Sequence, residues 1–218
     1  MKFIINKNIE EIANHIASSI NKELKDGKRV LLFLSGGSSV PIEVLVSKKI
    51  KWFPSKRLTI TLADERYGFV NHVNSNWYKL KKSGFYFKRS NQVPFLYGKN
   101  FATTTKEANS LIENEIKNSD YRIGVFGVGE DGHTAGIMPH SEALFIDKMV
   151  CSYEYSDFDR ITITPLAIGS INEAFVYAYG KNKYNVLNNL KKDISIEEEP
   201  AQVLKKVPLL TIFTDNNL

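Results

Sequence analysis

Short apolar runs alternate with amphipathic stretches along the chain, the pattern of an α/β protein. After Asn8, apolar residues recur every three or four positions up to Leu24, and Gly27 ends the predicted helix. Further helices are predicted from Pro41 onward and over residues 106–117, 184–190 and part of 79–98. Apolar runs of strand length occupy residues 30–34, 58–63, 122–128, 160–164, 174–179 and 209–213.

This order of elements predicts one domain over residues 1–218 with a doubly wound, Rossmann-like fold, a mostly parallel sheet and helices on both faces. The segment 122–128 is apolar almost throughout, which indicates a central strand covered on both faces. Ligands of such sheets bind beyond the carboxyl ends of the strands. Four strand ends carry polar clusters that we expect to share one cleft, at residues 35–39, 64–66, 129–133 and 180–183.

Composition narrows the partners that the chain can take. A net charge of +5 from 29 basic and 24 acidic residues is small and dispersed, so it favours an anionic small molecule over nucleic acid. The single Cys151 excludes an internal disulfide and fits no zinc-ligand spacing, so we expect no metal. With neither a signal-peptide pattern nor an apolar run of membrane-spanning length, a cytoplasmic protein is expected, as a monomer or small homo-oligomer.

The segment 35–39, SGGSS, follows an apolar strand and precedes the predicted helix at Pro41. Free backbone N–H groups and the positive end of the helix dipole would meet there, which predicts an anion site. The same composition is also common in purely structural turns. Its place directly after a buried strand favours the anion site.

A second glycine-rich turn follows the central strand. Gly127, Gly129 and Gly132 let the backbone bend sharply and approach a ligand closely. A lone loop histidine is most often structural, but His133 stands two residues after Asp131 at the end of this turn. The arrangement predicts a general base with a carboxylate that orients it.

The GxGxxG spacing of residues 127–132 also fits a dinucleotide-binding fingerprint, with Glu154 or Asp157 near the position of a ribose-binding acid. That fingerprint usually follows the first strand of its fold, and Pro139 comes too soon for a long helix. A nicotinamide-dependent oxidoreductase is therefore the less favoured interpretation, and we expect no cofactor.

Four segments in order, LFLSGGSSVP, LADERYGFVNHVNSN, GVGEDGHTAGIMP and RITITPLAIGSINEAFVYAYGKNK, resemble the motifs of the 6-phosphogluconolactonases. The resemblance extends from about residue 30 to residue 213, within a wider group that includes glucosamine-6-phosphate isomerase/deaminases. It implies a hydrolase of the pentose phosphate pathway that opens 6-phospho-D-glucono-1,5-lactone without metal or organic cofactor. The chain departs from the family's usual Thr-Pro at Ser39-Val40, where a hydroxyl is retained.

The resemblance also implies roles by position. His133 resembles the catalytic base, supported by Asp131. Residues implied in phosphate or substrate binding are Ser35, Gly36, Gly37, Ser38, Arg160 and Lys183.

Lactone hydrolysis needs an activated water and donors for the charge that develops on the carbonyl oxygen. Arg66 and the backbone N–H groups of Gly129 and Gly132 are the candidate donors. Asp64, at the same predicted sheet edge, joins the catalytic candidates, although residues 64–66 would also fit an exposed charge cluster without a role.

Two rival functions remain on the same scaffold. The deaminases that the chain resembles carry a ring-opening glutamate five residues after the motif histidine, where this chain has Met138. A thioether cannot relay a proton, so deamination is less favoured. A non-catalytic sugar-phosphate sensor would keep the anion loop and lose the base, whereas Asp131 and His133 are both retained.

Overall fold

The structure is a computed structural model that describes residues 1–51, 56–86, 88 and 90–216, and these residues form ten β-strands and six α-helices. The strands are β1 (Lys2–Ile5), β2 (Val30–Leu34), β3 (Leu58–Leu62), β4 (Asp64–Arg66), β5 (Asn91–Val93), β6 (Tyr121–Phe126), β7 (Val150–Tyr153), β8 (Arg160–Ile163), β9 (Glu173–Tyr177) and β10 (Leu209–Thr214). The helices are α1 (Ile9–Lys25), α2 (Val40–Lys49), α3 (Asn76–Lys82), α4 (Phe101–Asn118), α5 (Pro165–Gly169) and α6 (Tyr184–Asn189).

The large sheet has the strand order β1-β10-β9-β6-β2-β3-β5, and its neighbouring strands pair in parallel. β6 is central: Leu34 of β2 lies opposite Val125, and Phe126 lies opposite Val176 of β9. The predicted α/β fold with a mostly parallel sheet is confirmed. As a result, the chain leaves β2, β6 and β9 at the same edge of the sheet.

A small antiparallel sheet, β4-β8-β7, lies beside this edge and was not predicted from the sequence. Residues 64–66 were expected to follow a strand, and they form one. Residues 160–164 were expected to extend the parallel sheet, but β8 pairs instead with β4 and β7. These strands are three or four residues long, so periodicity cannot show their partners, which depend on long-range pairing.

The helix termini follow local capping. Asn8 accepts the N–H of Glu10 at 3.1 Å at the start of α1, as predicted. α4 begins five residues earlier than predicted, because the Asn100 side chain accepts the N–H of Thr103 at 2.9 Å. α3 begins before the predicted region 79–98, in which residues 87 and 89 lie outside the described residues. In the described residues no helix is long and apolar enough to cross a membrane.

The core is continuous beneath the edge where the chain leaves β2, β6 and β9. Four phenylalanines, one from each of four neighbouring strands, are fully buried: Phe33, Phe126, Phe175 and Phe213. β6 contains a glycine because an added Cβ at Gly124 would lie 2.2 Å from the Phe126 ring. Packing of this kind fixes the end of β6, and therefore the start of the glycine-rich turn that follows it.

Candidate active site

All but two of the site residues predicted from the sequence line one cleft at the carboxyl ends of β2, β6 and β9. Those lining it are Ser35, Gly36, Gly37, Ser38, Asp64, Arg66, Gly129, His133, Arg160 and Lys183. Asp131 lies behind His133, and Gly132 packs against Glu199. Asn76, to which the sequence analysis gave no role, also lines the cleft.

His133 and Asp131 form a hydrogen-bonded pair. The distance between His133 Nδ1 and Asp131 Oδ1 is 2.6 Å, and the Asp131 carboxylate also accepts the His133 backbone N–H at 3.2 Å. The hydrogen bond from His133 lowers the pKa of Asp131 to about 2, so this carboxylate is ionised near neutral pH. An ionised acceptor on Nδ1 fixes the proton there and leaves Nε2 as the basic nitrogen.

Gly129 makes room for this pair. An added Cβ at this position would lie 2.1 Å from His133 Nδ1 and 2.3 Å from Asp131 Oδ1. The Gly129 N–H donates to the His133 carbonyl at 2.7 Å, and the Gly132 N–H donates to the Gly129 carbonyl at 3.2 Å. Both N–H groups proposed above as oxyanion donors are therefore engaged within the turn, which leaves Arg66 as the favoured candidate.

Arg66 and Arg160 lie directly opposite one another across β4 and β8. Like charges at opposed positions of an antiparallel pair repel, so this arrangement favours a bound anion. Arg160 is 6% exposed and its guanidinium donates to Asp157 at 2.9 and 3.0 Å. Asp64 lies on the same face of β4, where burial raises its pKa while the charges of Arg66 and Arg160 oppose that rise.

The SGGSS segment leaves β2 as a tight loop. Gly36 and Gly37 have φ of 75° and 57°, a region that L side chains rarely occupy. Gly37 begins a 3₁₀ turn that leads into α2, so the N–H groups of Gly37 and Ser38 have no partner within the helix. The N–H groups of Ser35 and Gly36 instead donate to the buried carboxylate of Glu43.

Lys183 reaches the cleft from the 3₁₀ turn Lys181–Lys183, which follows β9. Gly180, with φ of 98°, starts this turn, and its N–H donates to Asp215 at 3.2 Å. Asn182 is held by a hydrogen bond to Glu130 of the glycine-rich turn. The turn that carries Lys183 is therefore connected to the glycine-rich turn that carries His133.

Buried polar atoms without a partner are concentrated at the cleft. In the described part of the chain there are six such side-chain atoms, and three belong to cleft residues: Nε of Arg66, Nε of Arg160 and Oδ1 of Asn76. Such atoms are costly unless a ligand or water satisfies them. Two unpaired donors and one unpaired acceptor suit an anionic, hydroxyl-bearing ligand.

The geometry does not favour a dinucleotide. Residues 127–139, which follow β6, form a turn with a bridge between Thr134 and Ile137, where the fingerprint would require a helix. Among the described residues, no group of three or more His, Cys, Asp or Glu side chains is placed to hold a metal ion.

Comparison with known proteins places the chain in a family. The sequence profile for glucosamine-6-phosphate isomerases/6-phosphogluconolactonase matches residues 6–211. The chain belongs to this family. A 6-phosphogluconolactonase of Borreliella burgdorferi is 29% identical over 227 residues, covering 99% of this chain and 96% of its own. Another from Pseudomonas aeruginosa is 29% identical over 213 residues, covering 91% and 87%.

Two solved structures show how far the fold extends within the family. A 6-phosphogluconolactonase from Thermotoga maritima superposes with a TM-score of 0.81 at 22% identity, over 97% of this chain and 96% of its own. A monomeric glucosamine-6-phosphate deaminase gives 0.80 at 16% identity, over 98% and 97%. At these identities the likeness establishes the shared fold and does not discriminate between the two activities.

Replacing Gly129 with Ala should separate His133 from Asp131, because the new methyl group would occupy the space of their hydrogen bond. We expect the free energy of unfolding to fall by about 1–3 kcal/mol, as for other overpacked sites, and the ¹⁵N NMR signals of the His133 ring to change. Gly169→Ala is the control, since an added Cβ there has no neighbour within 4 Å. A Gly129→Ala protein with unchanged ring signals and stability would contradict this account of the turn.

Proposed function

We propose that this chain is a 6-phosphogluconolactonase, which hydrolyses 6-phospho-D-glucono-1,5-lactone to 6-phospho-D-gluconate. The observation that carries the proposal is the placement of the His133–Asp131 pair in the same cleft as an anion loop and two opposed arginines. The names of the curated relatives from Borreliella burgdorferi and Pseudomonas aeruginosa support the same substrate.

In this proposal the phosphate binds at the loop of residues 36–38. The N–H groups at the start of the α2 turn and the helix dipole favour an anion there. Arg160 and Lys183 approach the same cleft from β8 and from the turn after β9. A guanidinium and an amine together match the charge of a phosphate dianion.

His133 then acts as the general base. Its Nε2 takes a proton from water as the water oxygen bonds to the lactone carbonyl carbon, and Asp131 stabilises the imidazolium that forms. Charge that develops on the carbonyl oxygen is stabilised by Arg66. Collapse of the intermediate breaks the bond between the carbonyl carbon and the ring oxygen. The proton held by His133 passes to that ring oxygen, and 6-phosphogluconate is released.

Asp64 serves this step by holding its neighbours. Its carboxylate accepts the amide N–H of Asn76 at 3.2 Å, and its backbone carbonyl accepts the same amide group at 3.0 Å. It also lies on the same strand face as Arg66 and balances part of the arginine charge. We therefore assign Asp64 to orienting the cation rather than to proton transfer.

The test of this function follows acid release from freshly prepared 6-phosphogluconolactone, above the spontaneous rate, in parallel with ammonia release from glucosamine 6-phosphate. We expect lactone hydrolysis and no ammonia, since position 138, where the deaminases carry a glutamate, is a buried methionine. Ammonia release at a rate comparable with the lactonase rate would transfer the chain to the deaminase branch. Absence of both activities would leave the sensor interpretation.

His133→Asn should fold normally and lose about 10²- to 10⁴-fold in kcat, the range for a general base. Asp131→Asn should also lose activity, because the ring loses the ionised acceptor on Nδ1. Since the pKa of Asp131 lies at about 2, this carboxylate stays ionised near neutral pH and should not contribute to the wild-type pH–rate profile there. A folded His133→Asn enzyme within about threefold of wild type would exclude the assignment.

Lys183→Met should raise KM for the phosphorylated lactone strongly and leave kinetics on unphosphorylated gluconolactone nearly unchanged. Arg160→Met should have the same selectivity, with some loss of stability because the guanidinium is buried and paired with Asp157. Lys181→Met is the matched control, since Lys181 is exposed on the same turn and does not line the cleft. Equal losses on both lactones would show that these cations serve folding or the chemical step.

A further inference from the structure

Glu43 is a fully buried carboxyl group that the proposed mechanism does not use. It lies in the first turn of α2 with 0% of its surface exposed. Its Oε1 accepts the N–H of Ser35 at 2.8 Å, and its Oε2 accepts the N–H of Gly36 at 3.2 Å. The side chain therefore fixes the first half of the loop, residues 35–36, and with it the position of residues 37–38, all of which line the cleft.

The charges around Glu43 oppose its ionisation. Asp64, from β4, adds a second negative charge, and the cations Arg66 and Arg160 interact with Asp64. Salt bridges in the described residues leave Glu43 without a cationic partner. Burial raises the pKa of Glu43 to about 8, even though the two backbone N–H bonds favour the ionised form.

The charged residues on the neighbouring helices interact with groups other than Glu43. α1 packs against α2, and its Glu10 forms an ion pair with Lys49 at the opposite end of α2. α3 also packs against α2, and its Lys79 interacts electrostatically with Glu65 and Asp64. Glu43 therefore lies directly beneath the anion loop, bonded to the N–H groups of Ser35 and Gly36, without a cation from either helix to balance its charge.

We propose that Glu43 is a positioning residue of the anion loop, and that the loop binds a phosphate dianion while the Glu43 carboxyl group is protonated. This inference rests on the proposed function in so far as the phosphate occupies residues 36–38. A neutral carboxyl group still accepts both N–H bonds through its oxygens, so the loop keeps its shape. An ionised carboxylate would place a negative charge beneath the peptide units that hold the dianion.

Ionisation of Glu43 and binding of the dianion oppose each other. In the free protein Glu43 ionises as the pH rises through about 8, whereas in the complex it stays protonated. Affinity for a phosphate ester should therefore fall above that pH, and binding near it should take up a proton. The ligand adds no slope of its own, because a phosphate monoester has its second pKa at about 6 and is a dianion throughout this range.

The experiment is isothermal titration calorimetry with 6-phosphogluconate, which is stable in alkali, between pH 7 and 9.5, in two buffers of different ionisation enthalpy. Wild-type Kd should rise about thirtyfold across this range with proton uptake, as expected for one group that ionises at about pH 8 in the free protein and stays protonated in the complex. Glu43→Gln should bind with a nearly constant Kd and no uptake. Glu23→Gln is the control, since Glu23 is also buried but pairs with Lys28 on another part of the fold, and it should retain the wild-type slope.

If the Kd of Glu43→Gln differs from the wild-type Kd by the same factor at every pH, the two pH profiles are parallel. That result would overturn the linkage and leave Glu43 with a structural role only. Failure of every protein to bind 6-phosphogluconate would overturn the proposed function, and the linkage with it. If Glu43→Gln does not fold, the wild type alone decides, because absence of proton uptake near pH 8 contradicts the proposal.

Discussion

Parallel strand pairing is the constraint on which the site depends. Since β2, β6 and β9 run in the same direction, the chain leaves each of them at one edge of the sheet, and three distant loops meet there. The backbone at this edge is fixed by packed phenylalanines below it. Each loop needs only a short turn to present its side chains, so the histidine pair, the anion loop and Lys183 share one cleft.

The small antiparallel sheet supplies what the parallel sheet alone would lack. Pairing of β4 with β8 brings Arg66 and Arg160 into opposition and leaves Asp64 beside them. Charges held at low exposure in this way are a cost to the folded protein unless they are paired or bind a ligand. Buried charges that lack a full set of partners are typical of functional sites, where a bound substrate supplies the missing interactions.

Sequence patterns predicted what depends on local order. The buried strand before SGGSS and the strand before the histidine turn were identified because continuous apolar runs ending in glycine have few other interpretations. The pairing of residues 64–66 with β8 was not predicted, because it joins residues almost a hundred positions apart. Glu43 was missed for another reason: α2 is buried on more than one face, so no periodicity marks an inward-facing acid.

The shared fold makes side chains, not architecture, the basis for choosing between lactonase and deaminase. A histidine oriented by Asp131 can take a proton from water or from a carbon, so the pair alone does not decide the reaction. Amino-sugar deamination also requires a carboxylate for ring opening, and here the family position for it holds Met138, buried in the core. Opposed arginines instead favour a reaction whose transition state and product are both anionic, as in opening a phosphorylated lactone.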